Sequence, residues 1–177
     1  MQALQRCGAC LFFWKGKDMN ITILCVGSIK EKFYREAAAE YTKRLSRYAK
    51  VNIVEVKDEK TKENASLAEM DFVRKKEGER LLKYIKENDF CITLEIQGKE
   101  LDSISLANKI ENLGIQGKSS LVFIIGGSIG LDASVLKRSD MSLSFSKMTF
   151  PHQLMRVILL EQIYRSYRII HKEPYHK

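Results

Sequence analysis

Residues Leu121 to Arg156, LVFIIGGSIGLDASVLKRSDMSLSFSKMTFPHQLMR, hold two apolar runs, each followed by a loop of unusual composition. Leu121-Val122-Phe123-Ile124-Ile125 is apolar at every position, which predicts a strand covered on both faces, as in a parallel sheet, rather than one with a solvated face. It stops at Gly126-Gly127-Ser128-Ile129-Gly130. Glycines there permit positive φ and close backbone approach at the carboxyl end of a strand, where open α/β sheets bind their ligands. A short helix from about Asp132 and a strand from Met141 to Ser146 come next, then Lys147-Met148-Thr149-Phe150-Pro151-His152. Two strand-end loops are thus expected to face one crevice. The glycine loop is neither G-x-G-x-x-G nor a P-loop, because the Lys-Ser/Thr pair is missing. It reads either as a ligand loop of another kind or as a tight turn.

Upstream of this stretch, strands and helices alternate from Met19 onward. Ile21 to Gly27 reads as the first strand, and Ser28 with Glu31 has the spacing of a capping box for a helix beginning near Ile29. Ile29, Phe33, Ala37, Tyr41 and Leu45 recur every fourth residue and predict its core stripe. Lys30, Lys32, Arg35, Lys43, Arg44 and Arg47 occupy the rest of it, as a solvated face or as part of a nucleic-acid surface. Val51 to Val56 is the second strand, Lys57 to Asn64 an exposed charged loop, and Ser66 with Glu69 a second capping box ahead of a charged helix reaching about Lys86. Phe90 to Gln97 is the third strand, closed by Gly98, and a helix from about Ser103 to Leu113 leads back to Leu121. Five strands alternating with five helices give an α/β fold, a parallel sheet flanked by helices.

The chain has 177 residues, 45% hydrophobic and 29% charged, a composition that excludes a disordered chain and fits one globular domain. A formal charge of +8 favours a polyanionic partner, nucleic acid ahead of an acidic membrane surface. Residues 1–18 differ in character from the rest of the chain and are read as an extension outside the fold, with residues 19–177 as the domain. Their apolar core, Cys10-Leu11-Phe12-Phe13-Trp14, is too short for a signal peptide or a membrane span. Cys7 and Cys10 form a lone C-x-x-C with no second pair, so no metal is expected. Cys25 and Cys91 sit within apolar strand patterns as small core residues, and a reducing cytoplasm fits.

The last helix, from about His152 to His171, gathers Glu161, Arg165, Arg168 and Lys172 on one arc, while Arg156 falls on the apolar side beside Leu160, Ile163 and Tyr167. A guanidinium there needs a partner: either a carboxylate of its own chain or a substrate phosphate. So wide an apolar surface suggests that the helix also packs against a second subunit.

Together the strand Ile21–Gly27, the segment Thr93-Leu94-Glu95-Ile96-Gln97-Gly98-Lys99, the loop Ile125–Gly130, the run Leu143–Gln153 and the terminal Pro174-Tyr175-His176 carry a resemblance. From Met19 to Lys177 the chain resembles the RlmH family, the ribosomal large-subunit pseudouridine N3-methyltransferases of the SPOUT, or α/β-knot, class. Ile129 departs from the family, which often has a polar residue there.

The resemblance implies a carboxyl-terminal trefoil knot, an exception to the rule that chains avoid knots, and a homodimer with its site near the subunit interface. It implies S-adenosylmethionine as cofactor, contacted by Leu94, Gly126 and the run Phe145, Ser146, Lys147, Met148, Thr149 and Phe150. It further implies methyl transfer to N3 of a pseudouridine in large-subunit ribosomal RNA within the ribosome. His152 is then a candidate base, or only a helix cap. Arg156, placed with His152 among the catalytic candidates, and the terminal Tyr175 and His176 are candidates for holding RNA, Tyr175 by stacking on a base; Lys147 is a possible phosphate contact. Two rivals remain: a ribose 2′-O-methyltransferase of the same class, whose usual Asn-x-Gly and arginine pairing is not found here, and a ribosome-binding module that has lost the cofactor.

Overall fold

The computed structural model describes residues 19–62 and 64–176. The N-terminal 18 residues, with the proposed extension and the Cys7/Cys10 pair, lie outside the described residues. Five strands, β1 (Asn20–Val26), β2 (Lys50–Val56), β3 (Phe90–Glu100), β4 (Ser120–Ile125) and β5 (Met141–Ser144), alternate with five helices. The helices are α1 (Lys32–Leu45), α2 (Leu67–Leu82), α3 (Ser103–Ile115), α4 (Ala133–Arg138) and α5 (His152–Ile170). All strand pairings are parallel, in the order β2-β1-β4-β3-β5.

The period of two along each strand divides the core into two layers. Ile21, Ile23 and Cys25 of β1 and Leu121, Phe123 and Ile125 of β4 point to one face, where α1, α3 and α5 cover them with Ala38, Leu45, Leu106, Ile110, Leu159 and Ile163. Leu24 and Val26 of β1 and Val122 and Ile124 of β4 point to the other, beneath Leu81 of α2 and Val135 of α4. Covering on both faces explains why Leu121–Ile125 carries no polar residue. Each fully buried Ile, Leu or Phe stabilises the fold by roughly 1.5–3 kcal/mol.

Two local expectations are corrected. Ser28 and Glu31 form no capping box: α1 begins one turn later than read, with Glu31 at its N-cap and no side-chain cap. The free amides are met from distant elements instead, since the Gln153 side-chain oxygen accepts from Lys30 N (2.6 Å) and Glu31 N (3.1 Å), and Glu55 Oε1 accepts from Ile29 N (2.9 Å). The core stripe of α1 keeps Ile29, Tyr41 and Leu45 as read but takes Tyr34 and Ala38 in place of Phe33, which is 59% exposed, and Ala37. The capping box of α2 forms as read, Ser66 Oγ accepting from Glu69 N and the Glu69 carboxylate from Ser66 N.

The apolar breadth of α5 is met largely within its own chain. Arg156, Leu159, Leu160, Ile163, Tyr164, Ser166 and Tyr167 are buried as α5 packs against both α1 and α3. Tyr48 stacks on Tyr167 at a centroid distance of 5.5 Å. Leu154, Val157 and Ile158, one helical face apart from the core, stay half-buried. Among the described residues no helix is long and apolar enough to cross a membrane.

Candidate active site

Strand ends place the site. The carboxyl ends of β3, β4 and β5 open onto a cavity of about 400 Å³, within the range of roughly 300–1,000 Å³ common for small-molecule sites. Behind β4 stands the loop Gly126–Gly130; behind β5 stand Phe145, Ser146, Met148, Thr149 and Phe150, so one crevice does receive both loops. Gly130 takes φ +85 and its N–H donates to the Gly127 carbonyl at 3.1 Å, closing a tight turn within the ligand loop. The tight-turn reading of this loop is thus met. Asp132 caps α4, accepting from Ser134 N at 2.9 Å.

The third wall comes from an irregularity in β3. Leu94 and Lys99 both pair with Leu143 of β5, so Glu95, Ile96, Gln97 and Gly98 bulge out of the ladder, and the first three of them line the cavity with Leu94. Gly98 lies so close to β5 that a Cβ would stand 2.7 Å from the Leu143 carbonyl carbon and 2.8 Å from its nitrogen. That contact pins the bulge, the kind of feature that re-aims side chains beside active sites.

Leu94, Gly126, Phe145, Ser146, Met148, Thr149, Phe150 and His152 are thus brought together. Lys147 is the exception in its run: it is 71% exposed, outside the cavity lining, and its Nζ lies 3.7 Å from Glu100. His152 begins α5 at the cavity edge, where burial first and the Arg156 charge second hold its imidazole below the usual histidine range.

Arg156 faces inward. It is 1% exposed; Nη1 donates to Glu55 at 2.6 Å, and Nη2 to the Val26 and Gly27 carbonyls at 2.9 and 2.8 Å. Of the two partners considered for this guanidinium, the chain supplies its own carboxylate. Tyr175 is also engaged. Its hydroxyl donates to Glu161 at 3.1 Å, its ring meets Tyr164 edge-on at 5.0 Å, and the Arg165 guanidinium covers it at 4.7 Å. His176 is exposed beside it. Glu161, which Tyr175 contacts, lies nine residues along α5 from His152, a rise of roughly 14 Å.

Sequence reasoning missed Arg74, Glu95, Leu131, Leu136 and Met155 as lining residues. Arg74 pairs with Asp71 and donates to the Ile129 carbonyl at 3.3 Å, tying α2 to the glycine loop. The walls are mainly apolar, with a few polar groups and two loop backbones, a set that fits a nucleoside carrying a short charged chain.

Comparison with known proteins gives concordant findings. Residues 19–176 match the family model described as "Predicted SPOUT methyltransferase". The protein named ribosomal RNA large subunit methyltransferase H of Clostridium tetani is 60% identical over 159 residues, 90% of this chain and all of its own length. Its namesake in Clostridium kluyveri is 55% identical over the same shares, and a relative from Methanococcus maripaludis 62%.

Proposed function

The chain belongs to the SPOUT methyltransferase family, and from that premise we propose that it methylates N3 of a pseudouridine in large-subunit ribosomal RNA, using S-adenosylmethionine. The names of the relatives, which specify large-subunit ribosomal RNA, support the substrate. The observation that carries the reading is the single cavity that joins Gly126–Gly130, Phe145–Phe150 and the β3 bulge. In this reading the chain acts as a cytoplasmic homodimer on the assembled ribosome, and its β3–β4–β5 crossings form the trefoil knot. The half-buried Leu154, Val157 and Ile158 offer an apolar strip for the partner. In this reading Tyr175 and His176, on the tail beyond α5, contact the RNA.

When bound, S-adenosylmethionine supplies an electrophilic methyl. Leu94, Leu131, Phe145 and Phe150 would enclose its purine and exclude water, and the loop backbones would offer it polar groups. Holding donor and nucleophile in line then provides much of the acceleration. N3 must lose its imino proton, and His152, kept neutral by burial and by Arg156, is an acceptor at the cavity edge.

Neutral imidazole is the working form, and a depressed pKa keeps it neutral further into acid. Single-turnover rates should therefore hold level from about pH 8 down past the ordinary histidine range near 6.5 before falling. His152→Ala should be slower by about a hundredfold and lack that acid limb. A limb centred at or above the ordinary range would count against His152. Labelled-methyl transfer to free RNA, large subunits and whole ribosomes tests the substrate: the reading expects whole ribosomes to be preferred, and equal labelling of naked RNA would contradict it.

A further inference from the structure

Among the described residues, Glu95 is the single acidic side chain in the cavity wall. The bulge held by Gly98 against Leu143 turns it there, and it has no hydrogen bond or ion pair among the described residues. Burial alone raises its carboxyl above the usual range. The other charged groups at the wall do not answer it: Arg74 is engaged with Asp71 and the Ile129 carbonyl, and His152 is held neutral. A carboxylate partly withdrawn from water and left without a protein partner gains from any cation that meets it.

We infer that Glu95 recognises the positive sulfonium of the methyl donor and makes the cavity selective for the methylated cofactor over its demethylated product. The inference rests on the proposed donor. Loss of the methyl turns the sulfonium into a neutral thioether, so a carboxylate facing the sulfur attracts the substrate form and not the product form. The attraction belongs to the ground state and fades as the methyl departs. It therefore strengthens donor binding without accelerating chemistry, and it favours exchange of spent cofactor for fresh.

Glu95→Gln keeps shape and removes charge, and with no protein partner to lose it should melt with the wild type. Calorimetry with S-adenosylmethionine and S-adenosylhomocysteine on wild type, Glu95→Gln and Glu95→Asp reads the effect. The expected result is a Kd for S-adenosylmethionine raised about tenfold to a hundredfold in Glu95→Gln, against less than about threefold for S-adenosylhomocysteine, with preference recovered in Glu95→Asp. KM for the donor should rise with no fall in kcat. Equal weakening of both ligands, or of neither, overturns the inference while leaving the donor assignment intact. So does a kcat loss of about a hundredfold with unchanged donor binding, the mark of a base. Failure of the wild type to bind S-adenosylmethionine would remove the donor assignment itself, and the inference with it.

Discussion

Replacing Arg156 with alanine is expected to lower the melting temperature by on the order of 10 °C. The guanidinium is almost fully enclosed and joins three parts of the fold: Glu55 on β2, the Val26 and Gly27 carbonyls at the end of β1, and the first turns of α5. Removing one member of such a buried pair leaves groups without partners and costs about 3–5 kcal/mol. Glu55 also anchors Ile29 N, so the loop leading into α1 should loosen with it. Arg156→Lys should recover little, because one ammonium cannot span a carboxylate and two carbonyls in a planar fork. Glu55→Gln should cost less, about 1 kcal/mol, since that side chain is 35% exposed and water can replace part of what it loses. Thermal unfolding followed by circular dichroism checks all three, and a wild-type melting point for Arg156→Ala would mean the network carries no stability.

Gly126→Val should weaken S-adenosylmethionine binding by about a hundredfold or more, equivalent to at least about 2.7 kcal/mol. Gly126 follows β4 in the cavity wall, where an added Cβ would stand 3.0 Å from Leu131 Cγ and 3.1 Å from the Gly130 carbonyl. Those contacts are tight for one methyl group. The two further methyls of valine must displace Leu131 or enter the cavity, and either change spoils the surface that holds the ligand. Overpacking of this kind costs about 1–3 kcal/mol in the fold, so the melting point should drop only modestly while calorimetric binding is lost. Retained affinity in a folded Gly126→Val protein would place the donor elsewhere.

The sheet was legible because burial on both faces forces continuous apolar strands, and Leu121–Ile125 shows this without any partner in view. The cavity loops were legible for a related reason: Gly126–Gly130 and Phe145–Phe150 come directly after two such strands. Local motifs failed where a distant side chain took over their work. Ser28 and Glu31 have the spacing of a cap, yet Gln153 and Glu55 hold the amides concerned, and no local pattern reveals partners 26 and more than a hundred residues away. Phe33 and Tyr34 are adjacent aromatics, so periodicity alone could not select which of them faces inward. Arg156 announced its need for a partner by its place on an apolar face, but which partner depended on how β2 and α5 meet. Glu95 was invisible as a site residue because its direction depends on a bulge against β5, and Arg74 because one arginine in a charged helix carries no signal.

If the cavity supports methyl transfer to a base nitrogen of ribosomal RNA, the product nucleoside should say so. The protein is incubated with labelled S-adenosylmethionine and ribosomes lacking the modification, and the labelled nucleoside is identified by mass spectrometry. The account predicts N3-methylpseudouridine from the large subunit, abolished in Gly126→Val. Label on a ribose, or no label despite bound donor, would contradict it.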